Sequence, residues 1–249
     1  MAAGMAKQGL IPVVAIYSSF LQRGYDALIH DTSLLGLHTV FCVDRAGLVG
    51  SDGETHHGVF DLSYLSSVPN MHILAPSSFA ELDVMLDRAV NGMQGPVAVR
   101  YPRGSEGEYK SVSQADTEVL SCGDDITLIA YGTMINTTLA VADKLKANGV
   151  NAEVIKLSGL KPIVFDPIAE SLNKTGKVLI AEDVCSRGCI GSVILSEAEL
   201  RGITLGKAML CNLGEGIVTH GKVSELMLDC GLDADSIYEK AMCLVRGAK

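Results

Sequence analysis

The residue types and spacings best suited to chemistry lie in one stretch, Asp44-Arg45-Ala46-Gly47-Leu48-Val49-Gly50-Ser51-Asp52-Gly53-Glu54-Thr55-His56-His57-Gly58. Arg45 carries a donor fork that pairs bidentately with phosphate or carboxylate. Asp52 and His56, four residues apart, can orient a substrate or move a proton near neutral pH. The four glycines let backbone approach a ligand closely. The competing reading is a solvated Gly-rich loop with incidental charges. A second cluster is Tyr17-Ser18-Ser19-Phe20-Leu21-Gln22-Arg23. Tyr17 and Phe20 can form an aromatic platform with Arg23 as a cation one turn on, although aromatics in such a place are more often core. The third, Arg100-Tyr101-Pro102-Arg103-Gly104, holds two arginines, of which one is expected to be structural and one to face a ligand.

Each cluster follows a short apolar run that reads as a strand: Ile11–Tyr17, Thr39–Arg45 and Pro96–Tyr101. Further strands are expected at Met71–Ala75, Ile126–Tyr131, Ala152–Leu157, Lys177–Glu182 and Lys207–Leu213, alternating with helical patterns such as Phe20–Leu35, Ala80–Asn91 and Met134–Asn148. Strands apolar at nearly every position are covered on both faces. The pattern therefore predicts an α/β fold with two doubly wound, mostly parallel sheets. Ligands bind such sheets at the carboxyl ends of the strands, so the clusters share one sheet edge and describe an anion-binding, aromatic-lined cleft. The polar stretch 105–125 is read as a linker between units at 1–104 and 126–249. Met1 to Gly9 reads as the end of a helix closing on a glycine, with no N-cap residue before it, so the chain is expected to begin inside an element.

Composition narrows the partners. The 249 residues are 48% hydrophobic and 20% charged, ample for real cores. Twenty Lys and Arg against 29 Asp and Glu leave a net charge of −9 with no basic run, which argues against nucleic acid or an anionic membrane as partner. The longest apolar stretches, such as Leu10 to Tyr17, are too short for a membrane helix. Seven scattered cysteines suit reduced core thiols rather than a disulfide framework. Cys185 and Cys189 lack the neighbours that would complete a zinc site, so no metal-binding residue is assigned within the chain.

The strings PVVAIYSSFLQRGYD at 12–26, DRAGLVGSDGETHHGVFD at 44–61, APSS at 75–78 and RYPRG at 100–104 resemble, in order and spacing, the pyrimidine-binding domain of the 1-deoxy-D-xylulose-5-phosphate synthase family. That family is a thiamine-diphosphate-dependent relative of transketolase. The likeness continues more loosely through Tyr131-Gly132-Thr133, Leu160-Lys161-Pro162 and Thr219-His220-Gly221, like a transketolase C-terminal domain. It implies a partial pyrimidine-binding domain at 1–104 followed by that C-terminal domain. The implied reaction condenses pyruvate, with loss of CO2, onto glyceraldehyde 3-phosphate to give 1-deoxy-D-xylulose 5-phosphate, a precursor for isoprenoid, thiamine and pyridoxal synthesis. By matching position, Phe20 resembles the residue that stacks on the cofactor's aminopyrimidine, with Tyr17 and Arg23 beside it. His56 resembles the histidine near the thiazolium and pyruvate, Arg45 and Arg103 the pair that grips the acceptor's phosphate, and Asp52 the contact to its hydroxyls. His30, His57 and His220 are read as structural.

The sequence departs from the family in three ways. The cofactor-activating glutamate would lie just before Met1. The diphosphate-binding domain, with its Gly-Asp-Gly motif and Mg2+ ligands, has no match in the 249 residues. Glu182-Asp183-Val184-Cys185 is a divergent form of a Glu-Glu-Gly motif. The expectation is a C-terminal part of a synthase, inactive by itself and prone to self-association. It would be a homodimer or would join a diphosphate-binding part, in the cytoplasm, with a plastid left open. Two alternatives stand beside it: one subunit of a split enzyme, or a non-catalytic binding or assembly module of the same fold.

Overall fold

The computed structural model describes residues 1–247. In chain order the elements are α1 (Ala2–Lys7), β1 (Val13–Tyr17), α2 (Ser18–Leu21), α3 (Tyr25–Ala27), β2 (Thr39–Asp44), α4 (Asp61–Ser67), β3 (His72–Leu74), α5 (Phe79–Asp87), β4 (Pro96–Tyr101) and β5 (Thr117–Ser121). There follow β6 (Ile126–Tyr131), α6 (Met134–Ala147), β7 (Ala152–Leu157), β8 (Gly159–Lys161), α7 (Asp166–Thr175), β9 (Lys177–Ala181), α8 (Ile190–Leu200), β10 (Lys207–Cys211), α9 (Val223–Asp229) and α10 (Ala234–Arg246).

Two five-stranded sheets result, in the orders β1-β2-β4-β3-β8 and β10-β9-β6-β7-β5. All pairings are parallel except β3 with β8 and β5 with β7. Every residue of β6 and β7 is buried, as strands covered on both faces must be, whereas the edge strand β1 leaves Val13 exposed.

Several details differ from the sequence pattern, among them the short strand β8, which the pattern does not show. The single helix expected at Phe20–Leu35 is broken into α2, a 3₁₀ turn, α3 and a wider π-helical segment at Leu28–Ser33. Helix α4 was not legible because its Asp-Leu-Ser-Tyr-Leu-Ser-Ser is short and serine-rich. Within the stretch 105–125 read as linker, Thr117–Ser121 forms β5, an antiparallel edge strand on β7 whose polar alternation hides it.

The two units share a core. Leu62, Leu65 and Ile73 of the first belong to one apolar cluster with Ile155, Leu160, Phe165 and Ile190 of the second. Strand β8 goes further and crosses from the second unit to close the first sheet beside β3. Buried charges reinforce the joint. Lys156, fully buried on β7, pairs with the fully buried Glu81 of α5 and receives further contacts from the Tyr109 hydroxyl at 2.9 Å and Glu118 at 3.2 Å. Lys161 donates to the carbonyls of Ser66 and Val68, both at 2.6 Å.

Among the described residues no helix is long and apolar enough to cross a membrane. All seven cysteines are free, with Cys185 and Cys189 buried.

Candidate active site

Strand register assembles the site. Tyr17 lies level with Asp44 across the β1–β2 pair, and Asp44 lies level with Tyr101 across β2–β4. The residues just beyond these carboxyl ends therefore emerge on one edge: Phe20 after β1, Arg45 after β2 and Arg103 after β4.

Arg45 adopts φ +60°, outside ordinary L-residue backbone, and its successor's N–H donates to Tyr101 O at 3.0 Å. The loop it opens is closed at its base by a reciprocal pair, Gly47 N–H to Gly58 O at 2.9 Å and Gly58 N–H to Gly47 O at 2.8 Å. Both positions need glycine. Gly47 has φ +76°, and a Cβ there would overlap the Asp183 carboxylate, while a Cβ on Gly58 would overlap the Arg45 carbonyl and Ser18.

The seven residues expected to form the site divide six to one. Asp52 bridges two arginines, accepting from Arg103 Nη1 at 2.6 Å and from Arg45 Nε at 3.4 Å, and Arg45 also pairs with Asp44. The Arg45 guanidinium lies 3.7 Å above the centre of the Tyr17 ring. Tyr17 and Phe20 stack at 5.1 Å with a 14° interplanar angle, and His56 meets Phe20 edge-on at 5.4 Å. Phe20 is half exposed, so part of this stack is open to solvent. Arg23 stands apart: it is exposed on the turn after α2 and makes no ion pair or side-chain hydrogen bond among the described residues.

Burial pulls the Asp52 pKa up, but the hydrogen bonds and charges of Arg103 and Arg45 outweigh it and leave the carboxyl below its ordinary value. The site thus holds two fixed cations and a carboxylate that stays ionised. Thr55 Oγ1 is 2.9 Å from His56 Nδ1 and orients the ring.

The two arginines of the third cluster separate as expected. Arg103 is half exposed at the site, and Arg100 is buried, donating to the buried Asp61 at 2.9 Å with Asp183 3.8 Å away. Sequence reasoning missed Asp61 and the Lys156–Glu81 pair. A signal existed in Pro-Val-Ala-Val-Arg-Tyr and Ala-Glu-Val-Ile-Lys-Leu, where a charge inside an otherwise buried strand demands a buried counter-charge. Glu182 takes such a place at the start of α8, accepting from the Ile190 and Gly191 amides at 2.8 and 3.0 Å and from the Tyr131 hydroxyl at 2.9 Å. Burial raises its pKa, and it raises that of Asp183 despite the neighbouring Arg100.

The histidines read as structural divide. His57 is buried and hydrogen-bonded, between the Val49 amide at 3.1 Å and the Thr219 carbonyl at 3.3 Å. His30 pairs with Asp26 on the surface.

Comparison with known proteins gives two family matches: the transketolase pyrimidine-binding domain over residues 1–108 and the transketolase C-terminal domain over residues 115–237. The chain is 41% identical to the 1-deoxy-D-xylulose-5-phosphate synthase of Gloeothece citriformis over 97% of its own length and 39% of that protein's. It is 40% identical to the same enzyme of Acaryochloris marina, over 99% of this chain and 40% of that one, and 40% identical to that of Halothermothrix orenii, over 98% and 39%. The chain thus spans about two fifths of the length of the curated relatives it matches. Among solved structures, a split gene transketolase described as an inactive beta4 tetramer superposes with a TM-score of 0.88 at 25% identity, covering 98% of this chain and 80% of that one.

Proposed function

The chain belongs to the transketolase family through its pyrimidine-binding and C-terminal domains, and on that premise we propose that it forms the pyrimidine-contacting and acceptor-binding part of a 1-deoxy-D-xylulose-5-phosphate synthase. The observation that carries this is the convergence of Tyr17, Phe20, Arg45, Asp52, His56 and Arg103 on one sheet edge, a half-exposed aromatic stack beside two arginines bridged by Asp52. The half-exposed Phe20 ring, backed by Tyr17, fits the flat aminopyrimidine of thiamine diphosphate. When bound, that cofactor supplies the electron sink for decarboxylation of pyruvate.

The chain's own residues then have distinct tasks. Phe20 and Tyr17 hold the pyrimidine by stacking, with Arg23 proposed as an outlying cation beside them. His56, edge-on to Phe20, donates a hydrogen bond to the pyruvate carboxylate or carbonyl oxygen and can hold a proton there. Arg45 and Arg103 take the phosphate of glyceraldehyde 3-phosphate, for which two guanidinium forks are suited. Asp52 holds both arginines in place and accepts from the acceptor's hydroxyls.

As the resemblance to the family implies, we assign the Mg2+ and diphosphate side to polypeptide outside residues 1–249, the chain spanning about two fifths of its relatives' length. The 249-residue polypeptide alone is therefore expected not to turn over. We place the reaction in a reducing compartment, the cytoplasm or a plastid, in keeping with seven free thiols. A second reading, one subunit of a two-polypeptide enzyme, has one observation behind it, the 98% coverage of this chain by a split gene transketolase.

The test separates binding from turnover. The polypeptide should bind glyceraldehyde 3-phosphate more tightly than glyceraldehyde in calorimetry, and Arg45→Met or Arg103→Met should erase the difference. Equal affinity for the two aldehydes in the unaltered chain would sink the assignment. Turnover by the polypeptide alone with pyruvate, thiamine diphosphate and Mg2+ would refute the division of labour.

A further inference from the structure

The loop of residues 44–58 grows from the first sheet, but the second domain forms much of its support. At Gly47 the Asp183 carboxylate fills the space where a side chain would stand. At Gly50, a Cβ would meet Val223 Cγ2 at 3.0 Å and the Gly221 carbonyl at 3.2 Å, and at Gly53 it would lie 3.8 Å from the His220 ring. At His57 the Val49 N–H donates to Nδ1 at 3.1 Å, which assigns the proton to Nε2, and Nε2 donates to the Thr219 carbonyl at 3.3 Å. Residues 183 and 219–223 thus flank the loop at four points along its length, with hydrogen bonds at His57.

The loop needs such support. Arg45 sits at φ +60°, and strained backbone of this kind persists only where surrounding structure over-determines it. Asp183 reaches a second element as well. It lies 3.8 Å from Arg100, which is anchored on Asp61 three residues before Arg103. One carboxylate from the second domain therefore contacts the loop that carries Arg45 and the strand whose end carries Arg103.

We propose that the C-terminal domain is the template for the acceptor loop, and that Asp183 and His57 are positioning residues that set the spacing of Arg45 and Arg103 around Asp52. Their effect is exerted through the backbone of the loop, since neither side chain contacts either of those two arginines' pairing with Asp52. The proposal rests on reading those arginines as the acceptor-phosphate site.

Inorganic phosphate titrated into the 249-residue chain, followed by NMR, tests both. His57→Leu removes both hydrogen bonds, and Asp183→Ala removes the backing of Gly47. Each should weaken phosphate binding about tenfold or more. His57→Gln, whose amide can accept from Val49 and donate to Thr219, should stay within about threefold of the unaltered chain. Ile237→Val, a core change in α10, should lower thermal stability without changing phosphate affinity. Amide exchange across residues 45–58 should quicken in His57→Leu while β2 and β4 keep their protection. If folded His57→Leu and Asp183→Ala bind phosphate as the unaltered chain does, the template role is overturned. If His57→Leu does not fold, Asp183→Ala against His57→Gln decides by the same affinities. Absence of phosphate binding in the unaltered chain would overturn the acceptor-site reading and this inference with it.

Discussion

Replacing Lys156 by methionine isolates what the buried charges contribute to joining the two domains. Lys156 and Glu81 are both fully buried, one on each side of the joint, so the variant leaves a carboxylate with its hydrogen bond from the Ser77 amide at 2.9 Å and no cation. The penalty has a ceiling, because the orphaned carboxyl can take up a proton. For a glutamate with a reference value of about 4.3, protonation at pH 7 costs about 3.7 kcal/mol at 1.36 kcal/mol per pH unit, and at pH 5.5 only about 1.6 kcal/mol. The first figure falls within the roughly 3–5 kcal/mol found when a buried pair loses one partner. For a chain of this length it corresponds to a fall in the melting midpoint of about 7 to 15 °C. Glu118 adds little, since it is partly exposed and can turn to solvent. Denaturant titrations at the two pH values, read by circular dichroism, measure the loss. Adding Glu81→Leu should recover most of it, because two apolar groups of similar volume replace the pair. A loss under about 1 kcal/mol, or one equal at pH 7 and 5.5, would refute the reasoning. At high pH the sign is that of a raised lysine. Burial pulls the Lys156 pKa down, but Glu81 and Tyr109 outweigh it and leave it above its ordinary value, so the stabilisation is present below about 10.4 and is lost as pH rises through the folded value.

Asp52 should titrate below the ordinary aspartate value of about 3.9 in carbon-detected NMR, and Arg103→Met should raise its midpoint; the bridge's stabilisation is present above that ordinary value and is lost as pH falls through the lowered one. Phe20→Ala should weaken binding of thiamine, whose ring it is proposed to stack on, by about tenfold in fluorescence titration, with the melting midpoint unchanged because the ring is half exposed. Leu128→Ala, in the centre of β6 with no exposure, should cost about 2–5 kcal/mol in denaturant unfolding, and a loss under about 1 kcal/mol would contradict the described core.

Much of the fold is legible in the chain because the physics is local. Pro96–Tyr101, Ile126–Tyr131 and Ala152–Leu157 are read from sequence with the bounds the structure gives, since a strand covered on both faces is apolar along its whole length. Edge strands obey a weaker rule. Thr117–Ser121 and Gly159–Lys161 are short and partly polar, and their pairing partners, β7 and β3, declare themselves only in space. Helix α4 hid for a related reason, as it fully buries only two apolar side chains, Leu62 and Leu65, in seven residues.

The same division runs through the site. Residue types and their place after strands drew attention to Tyr17, Phe20, Arg23, Arg45, Asp52, His56 and one of Arg100 and Arg103, because strand ends are where such sheets bind ligands, and the family resemblance singled out Arg103. Sequence could not pair Asp52 with both arginines, set Arg23 apart, or find the partners of His57. Those outcomes depend on distances between residues up to 162 positions apart, such as His57 and Thr219. Composition and periodicity determined that this chain builds doubly wound sheets with charged clusters along one edge, since burial and strand geometry act within a few residues. Only the tertiary structure decided that the second domain reaches back to support that edge, because a contact across a shared core leaves no pattern in either segment alone.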